Sequence, residues 1–390
     1  SDYDLISGWN SDRFDAPYIR KRAQQLGVKA TPLYQTQQVD LLQRFQELYH
    51  KDQAVAQGIR SYKLENVATY FLGTGKIPRG STWDMFTNAP DDLKKYNIRD
   101  VEILVQLEEK LGIIAQDIVK GHVLNSHVSA KVSGAALDLY AVHFANGRGV
   151  HMKTTPRLSR DSFSDNSYVG GHVFEPIVGL HHDVITLDAA SLYPSQIRTY
   201  NISPETYIRR WHSGLLEPED DGPFVRVSEP EDFDRDTTIA SPAGYLFKRE
   251  FGIIPSLVDY LVNWRNEIRK GRMAEIEDHN SPEYKNLYYI QYSVKTMANG
   301  LYGVLGSPMF RFYSTALAEA ITIGGHHLIR SVSEMLAERG NPTIYGDTDS
   351  VFVQLKHGDN PLELENYVNE KYSKIAIEQF GVERSDRKSV

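Results

Sequence analysis

The 390-residue sequence has no cysteine. That excludes a disulfide framework and any thiolate-ligated zinc or iron–sulfur site, and it points to the reducing interior of a cell. No apolar run approaches the roughly 18 residues of a spanning helix, so an integral helical membrane protein is excluded and no membrane partner is expected. Internal repeats are missing, and so is a secretory leader. The chain opens on Ser1 rather than Met, so the expectation is a processed product or a piece of something longer. Its expected home is the cytoplasm of a bacterial or archaeal cell or of a virus-infected host.

What is present is ordinary for a globular protein: 41% apolar and 24% charged residues, with room for two or three domains. The net charge of −8 argues at first against a nucleic-acid partner. Its distribution matters more. The Pro-rich stretch 217–236 holds nine carboxylates against Arg226 and Arg235, a local net of −7. It reads as a solvated loop-like insert that leaves the remainder near neutral, free to carry a local basic groove.

Along the chain, 4–9 reads as a strand, 16–26 as a helix and 91–111 as a long helix opening on an Asp cap. The segment 125–150 reads as helical, stopping near Asn146-Gly147. At 183–195 a β-branched run halts in a Ser-Leu-Tyr-Pro turn, and 343–355 reads as a hairpin whose outgoing arm puts Val351, Val353 and Leu355 on one face. Two helical patterns lie between, one following Pro255-Ser256 and one following Ser281-Pro282. The short link 278–280 makes them a helical hairpin.

Three features carry chemistry. Asp188 ends a strand, while Asp347 and Asp349 sit at i and i+2 in a tight hairpin; strand end and hairpin tip in one sheet would supply the oxygen cluster that paired hard cations need. Asp-x-Asp alone is equally a turn signature. Ser191, Leu192 and Tyr193 follow Asp188 in a turn able to aim backbone N–H groups at phosphate. On the helical hairpin, Arg265 and Arg269 stand four apart, and Lys295, Asn299 and Tyr302 fall at i, i+4 and i+7, a set suited to a triphosphate. A solvated basic helix face is the alternative.

DAASLYPS (188–195), KTMANGLYG (295–303) and YGDTDS (345–350), in that order, resemble motifs A, B and C of the family B DNA polymerases. YPSQIRTYNISPET and SPAGYLFKREFGIIPSLV resemble the T-even phage replicative type. Upstream, GWNSDRFDAPYI (8–19) and YNIRD (96–100) resemble the second and third exonuclease motifs, and Tyr168-Val169-Gly170-Gly171 resembles the Tyr-x-Gly-Gly linker motif. The resemblance implies a multidomain α/β and α+β chain. A partial RNase H-like 3′–5′ exonuclease domain (1–125) and a connecting segment (126–182) would precede an antiparallel palm (183–247, with the insert at 217–236). A helical-hairpin fingers (248–306) and the remaining palm (307–390) would follow.

It also implies roles. Asp188 and Asp349 would hold two Mg²⁺ ions, with Mn²⁺ as a substitute and Asp347 as a supporting carboxylate. Backbone groups at Ser191–Tyr193, with Arg265, Lys295 and Asn299, would hold the triphosphate of a dNTP, joined by Arg269, which stands where relatives often have Lys. Tyr193 would exclude a ribose 2′-OH, and Tyr302 and Gly303 would border the new base pair. Gly300 stands where the family usually has Ser. In the exonuclease, Asp15 and Asp100 would bind metal, Tyr96 would orient water, and Asn10 and Phe14 would make structural and DNA-strand contacts; Phe14 reads as readily as a core residue. Primer–template DNA is the expected partner, with a sliding clamp or a second, thumb-bearing subunit.

Two family elements are missing from the sequence. Asp-x-Glu of the first exonuclease motif does not precede Trp9, and Lys-x-Tyr and the thumb do not follow motif C. The expectation is a truncated or split enzyme that on its own proofreads not at all and extends primers little. A silent DNA-binding relative and an Asp-x-Asp glycosyltransferase are the rival classes. Retention of all three carboxylates speaks against the first, and the Lys295/Asn299/Tyr302 helix against the second.

Overall fold

The computed structural model describes residues 3–29, 36–49, 58–59, 61–77, 80–127, 134–151, 170–211 and 233–382. Tyr168, Val169 and most of the acidic stretch 217–236 lie outside them. The chain divides into two compact units, Ser1–Lys131 with Asp278–Ser293, and Val132–Glu277 with Val294–Val390. The described part is a mixture of helices and small sheets, and none of its helices is long and apolar enough to cross a membrane.

In the first unit, β1 (Leu5–Gly8) pairs in parallel with β2 (Gln37–Asp40), with Gly8 opposite Asp40. Buried Asp40 then caps the helix Leu41–Leu48 by accepting from the Leu42 and Gln43 N–H groups. The same carboxylate accepts from the N–H groups of Asn10 (3.0 Å) and Asp12 (3.1 Å). One side chain therefore closes a helix end and fixes the loop after β1, with Asn10 in the left-handed region at φ 66°. The loop leads into the helix Asp15–Gln25. The helix Pro90–Leu111 buries Tyr96, Ile103 and Leu107 along one stripe. Its cap is not the expected aspartate: Ala89 occupies that position, Pro90 starts the helix, and Asp91 and Asp92 sit in the first turn, where carboxylates favour the helix dipole. Phe45, Val67, Ala68 and Ile103 centre the core of this unit.

A helix absent from the sequence reading, Ile113–Leu124, follows the left-handed Gly112. Asn125, read as the start of a helix, instead ends this one at φ 48°; the next helix is Gly134–Asn146.

Among the described residues, the second unit holds two three-stranded antiparallel sheets. Its strands are β3 (Val184–Asp188), β4 (Tyr207–Arg210), β5 (Thr238–Ala240), β6 (Tyr245–Lys248), β7 (Thr343–Asp347) and β8 (Ser350–Gln354), ordered β3-β8-β7 and β4-β6-β5. The alternation read from the hairpin is present: Val351 and Val353 are buried while Phe352 and Gln354 are half-buried. Leu187, Val351 and Val353 pack with Leu328, Ile329 and Val332 of the helix Thr315–Glu338, and with Leu364 and Val368 of the helix Pro361–Phe380. This apolar layer is the platform under the carboxylates.

The platform includes a buried polar cluster. His327 Nδ1 lies 3.2 Å from the Tyr372 hydroxyl, which lies 3.3 Å from that of Tyr200. Burial lowers the His327 pKa to about 4. The folded state thus binds its proton less readily than the unfolded chain, whose histidine titrates near 6.5. The His327 contribution is complete above about pH 6.5 and is lost as pH falls from there towards 4, by about 3 kcal/mol over that window. Denaturant unfolding at several pH values should show a shallower acid-side slope in His327→Gln than in the natural chain; equal slopes would reject the assignment.

Candidate active site

Strand register brings the carboxylates together. Asp188, the last residue of β3, pairs with Ser350, and Asp347, the last residue of β7, pairs with the same Ser350 from the other side. Asp349 sits in the turn between β7 and β8, its N–H donating to the Asp347 carbonyl (2.6 Å) and its carbonyl accepting from the Ala189 N–H (2.7 Å). Thr348 makes the turn possible in the left-handed region, φ 53°, and its hydroxyl donates to Asp347 Oδ1 (2.9 Å). The pKa of Asp349 is raised, first by burial and then by the charges of Asp188 and Asp347. Like-charge repulsion of this kind is what a divalent cation relieves, and three hard carboxylate oxygens are the donors Mg²⁺ or Mn²⁺ takes. The residue set fits such ions. As the side chains stand, no group of three acidic or histidine residues among the described residues is gathered tightly enough to hold one.

The segment after Asp188 differs from the expected turn. Ser191, at φ 54°, is the N-cap of a helix, Leu192–Thr199, with Pro194 inside its first turn. The Leu192 side chain is buried in the platform. The first-turn amides of Leu192 and Tyr193 head a helix, a geometry that favours anions. The Tyr193 ring lies 4.4 Å from that of Tyr302, at 32°. It also crosses Gly325, where an added Cβ would stand 3.7 Å from Tyr193 Cε1 and 3.1 Å from Leu192 Cδ2.

Ser281 does cap the helix Pro282–Leu305, accepting from the Tyr284 N–H (3.2 Å). Lys295, Asn299 and Gly303 are exposed on it and Tyr302 half-buried. Gly300 is closely packed, with Leu137 Cδ2 3.0 Å from where a Cβ would be, while Gly303 has open space. The preceding helix begins at Ile253 rather than after Pro255. Its first amides donate to distant side chains: Gly252 N–H to Asn201 Oδ1, Ile253 N–H to Glu205 and Ile254 N–H to Ser203 Oγ. It continues through a π-helical turn, Glu267–Gly271, and a 3₁₀ turn, Arg272–Glu275. Arg265 has its pKa lowered by burial and then by the charge of Arg269.

In the first unit, Tyr96 and Asp100 share a helix face, as their spacing requires, and Lys76 joins them. Its ammonium donates to the Tyr96 hydroxyl (3.1 Å) and to Asp100 Oδ2 (2.8 Å). Burial disfavours the charge on Lys76, but these hydrogen bonds outweigh it and the pKa is raised. Asn10, Lys76 and Tyr96 line one cleft of about 780 Å³. Asp15 is exposed at the start of its helix and is not a lining residue of that cleft. Phe14 is 66% exposed, which rules out the core alternative. Lys76 escaped the sequence reading because a loop lysine 20 and 24 residues from its partners carries no local signal.

Residues 107–381 match the family model for DNA polymerase family B. The chain is 31% identical to DNA polymerase 2 of Aeropyrum pernix, over 90% of this chain and 43% of that one. It is 27% identical to DNA polymerase II of Escherichia coli, over 91% and 43%. Its structure is similar to that of the family B DNA polymerase from Pyrobaculum calidifontis, with TM-score 0.67 and 27% identity, over 95% of this chain and 47% of the other. The chain spans about half the length of the curated relatives it matches.

Proposed function

Because the chain belongs to DNA polymerase family B, we propose that the Asp188–Asp347–Asp349 cluster is the nucleotidyl-transfer centre of a template-directed DNA polymerase. Its substrates are a dNTP and a primer–template. One observation carries this reading: Asp188 and Asp347 face the same residue of β8 from opposite sides, with Asp349 tied to Ala189 between them.

The reaction is in-line attack of the primer 3′-OH on the α-phosphate, with pyrophosphate leaving. Asp188 and Asp349, with Asp347 in support, would hold two Mg²⁺ ions, which when bound would supply the acidification of that hydroxyl and the neutralisation of charge on the phosphoryl oxygens. The chain itself orients the reactants. The amides at the head of the Leu192–Thr199 helix, Arg265, Arg269, Lys295 and Asn299 hold the triphosphate. Tyr302 and Gly303 border the base pair. In the first unit, Asp100 and Tyr96, both bonded by Lys76, belong to an incomplete 3′–5′ exonuclease site in which Tyr96 orients water, Asn10 shapes the loop and exposed Phe14 meets the DNA strand, while Asp15 stands outside the cleft that Tyr96 lines.

The test is templated binding. Anisotropy of a labelled, 3′-dideoxy-terminated primer–template, titrated with the chain in Mg²⁺, should show tighter binding when the next complementary dNTP is added and none with a non-complementary one. Equal curves would reject the reading.

Tyr193 acts as the gate against ribose, its ring held by Tyr302 and by the absence of a side chain at Gly325. Tyr193→Ala is expected to reduce discrimination between a dNTP and its ribonucleotide by roughly 100-fold, the scale of a few kcal/mol of steric exclusion. Competition in the same binding assay measures it; unchanged discrimination would remove Tyr193 from this role.

A further inference from the structure

The segment 170–177 runs along β7 on the side away from β8. Val173 bridges Asp347. The Thr348 N–H donates to the His172 carbonyl (2.8 Å), Phe174 N–H to the Gly346 carbonyl (2.9 Å) and Ile177 N–H to the Ile344 carbonyl (2.8 Å). This strap therefore grips the strand and the turn that carry two of the three carboxylates. Its own anchor is the helix Thr315–Glu338. His326 Nε2–H donates to the Gly170 carbonyl (2.6 Å), and Arg330 Nε–H donates to His172 Nε2 (3.4 Å). A carbonyl can only accept, which fixes the His326 tautomer. Both anchoring side chains are buried, at 6% and 8% exposure. At Gly171 the fit is closed: an added Cβ would stand 2.7 Å from Thr348 Oγ1 and 3.0 Å from its Cγ2.

We propose that His326 and Arg330 are positioning residues that pin the Gly170–His172 strap against the Thr348 turn and thereby set where Asp347 and Asp349 stand. The proposal deepens the nucleotidyl-transfer reading of that turn and rests on it for its consequence. Neither side chain touches substrate. His326 holds the Gly170 backbone and Arg330 the His172 ring, and together they withhold from the strap the freedom that would let the turn relax under the repulsion of its carboxylates.

Hydrogen exchange of the full chain, followed by mass spectrometry on peptides covering 343–352, tests the pin directly. His326→Leu is expected to speed exchange at the turn by about 10-fold or more while the helix Pro361–Phe380 exchanges as before. His326→Gln, which keeps an N–H donor, should restore the rate to within about twofold. Gly171→Ala forces the strap away without touching the helix and should loosen the same turn, so it decides the matter if His326→Leu fails to fold. Unchanged exchange in Gly171→Ala, or no rescue by His326→Gln in a folded variant, would overturn the proposal. A Mn²⁺ titration by electron paramagnetic resonance adds the functional consequence: His326→Leu should weaken binding by roughly 10-fold, the low end of what losing a group bonded directly to a metal ligand costs, because His326 supports the carboxylates only through the strap, with rescue by His326→Gln. If the natural chain bound no Mn²⁺ but the turn still loosened, the polymerase reading would fall and the pin would stand.

Discussion

Asp188→Asn and Asp349→Asn are each expected to weaken Mn²⁺ binding by roughly 100-fold or more, beyond the 10–100-fold that outer-shell losses produce. An asparagine keeps the size and one oxygen but removes the charge, and with it most of the attraction between a hard cation and its site. Asp347→Asn should cost less, because its carboxylate is already engaged by the Thr348 hydroxyl at 2.9 Å. The order matters as much as the size. Asp349 carries a raised pKa through burial and through both neighbours, so removing the charge of Asp188 relieves repulsion even as it removes a ligand. Thermal melting should therefore rise slightly in Asp188→Asn without metal, while Mn²⁺ stabilises it far less than the natural chain. Equal Mn²⁺ affinity in all three variants and the natural chain would contradict the assignment.

Arg44→Met is expected to destabilise the first compact unit by about 3–5 kcal/mol, the cost of leaving a buried charge without its partner. Arg44 and Asp117 form an ion pair at 2.6 Å with side chains only 8% and 6% exposed. The pair joins the helix Leu41–Leu48 to the helix Ile113–Leu124. Glu47 at 2.9 Å and Lys120 at 3.1 Å extend it into a four-residue network. The double variant Arg44→Met/Asp117→Leu should recover most of the loss, because replacing both ions with apolar groups removes two desolvation costs together. Urea unfolding of the single and double variants separates the cases. A double variant as unstable as the single would mean that packing, and not the orphaned charge, sets the cost.

The parts of this chain that could be read from sequence are those whose determinants are local. The β7–β8 hairpin follows from a turn of Asp, Thr and Asp flanked by alternating β-branched residues, and the start of the helix Pro282–Leu305 follows from Ser281 capping and Pro282 at the first position. Elements set by distant partners were not legible. The helix at Ile253 begins where it does because Asn201, Ser203 and Glu205, some fifty residues earlier, take up its first amides. The Ser-Leu-Tyr-Pro segment looked like a strand ending because Pro is read as a stop. In the structure Pro194 lies in the first turn of a helix, where its missing N–H costs nothing. Asp40 is not singled out by the sequence analysis, and its task of holding Asn10 and Asp12 belongs to the tertiary fold. The same holds at the site. Asp188, Asp347 and Asp349 are visible as residues, whereas the Ser350 that Asp188 and Asp347 share emerges only from strand register, and the anchoring of the strap by His326 and Arg330 only from side-chain hydrogen bonds across the fold.

The most direct test of the account is whether two cations sit side by side above the hairpin. Electron paramagnetic resonance of the natural chain, loaded with Mn²⁺ and a dNTP in the presence of a 3′-dideoxy primer–template, should show spin coupling between ions roughly 3.5–4 Å apart, and the coupling should vanish in Asp349→Asn. A spectrum of isolated ions only, or a coupled pair that survives loss of both Asp188 and Asp349, would contradict it.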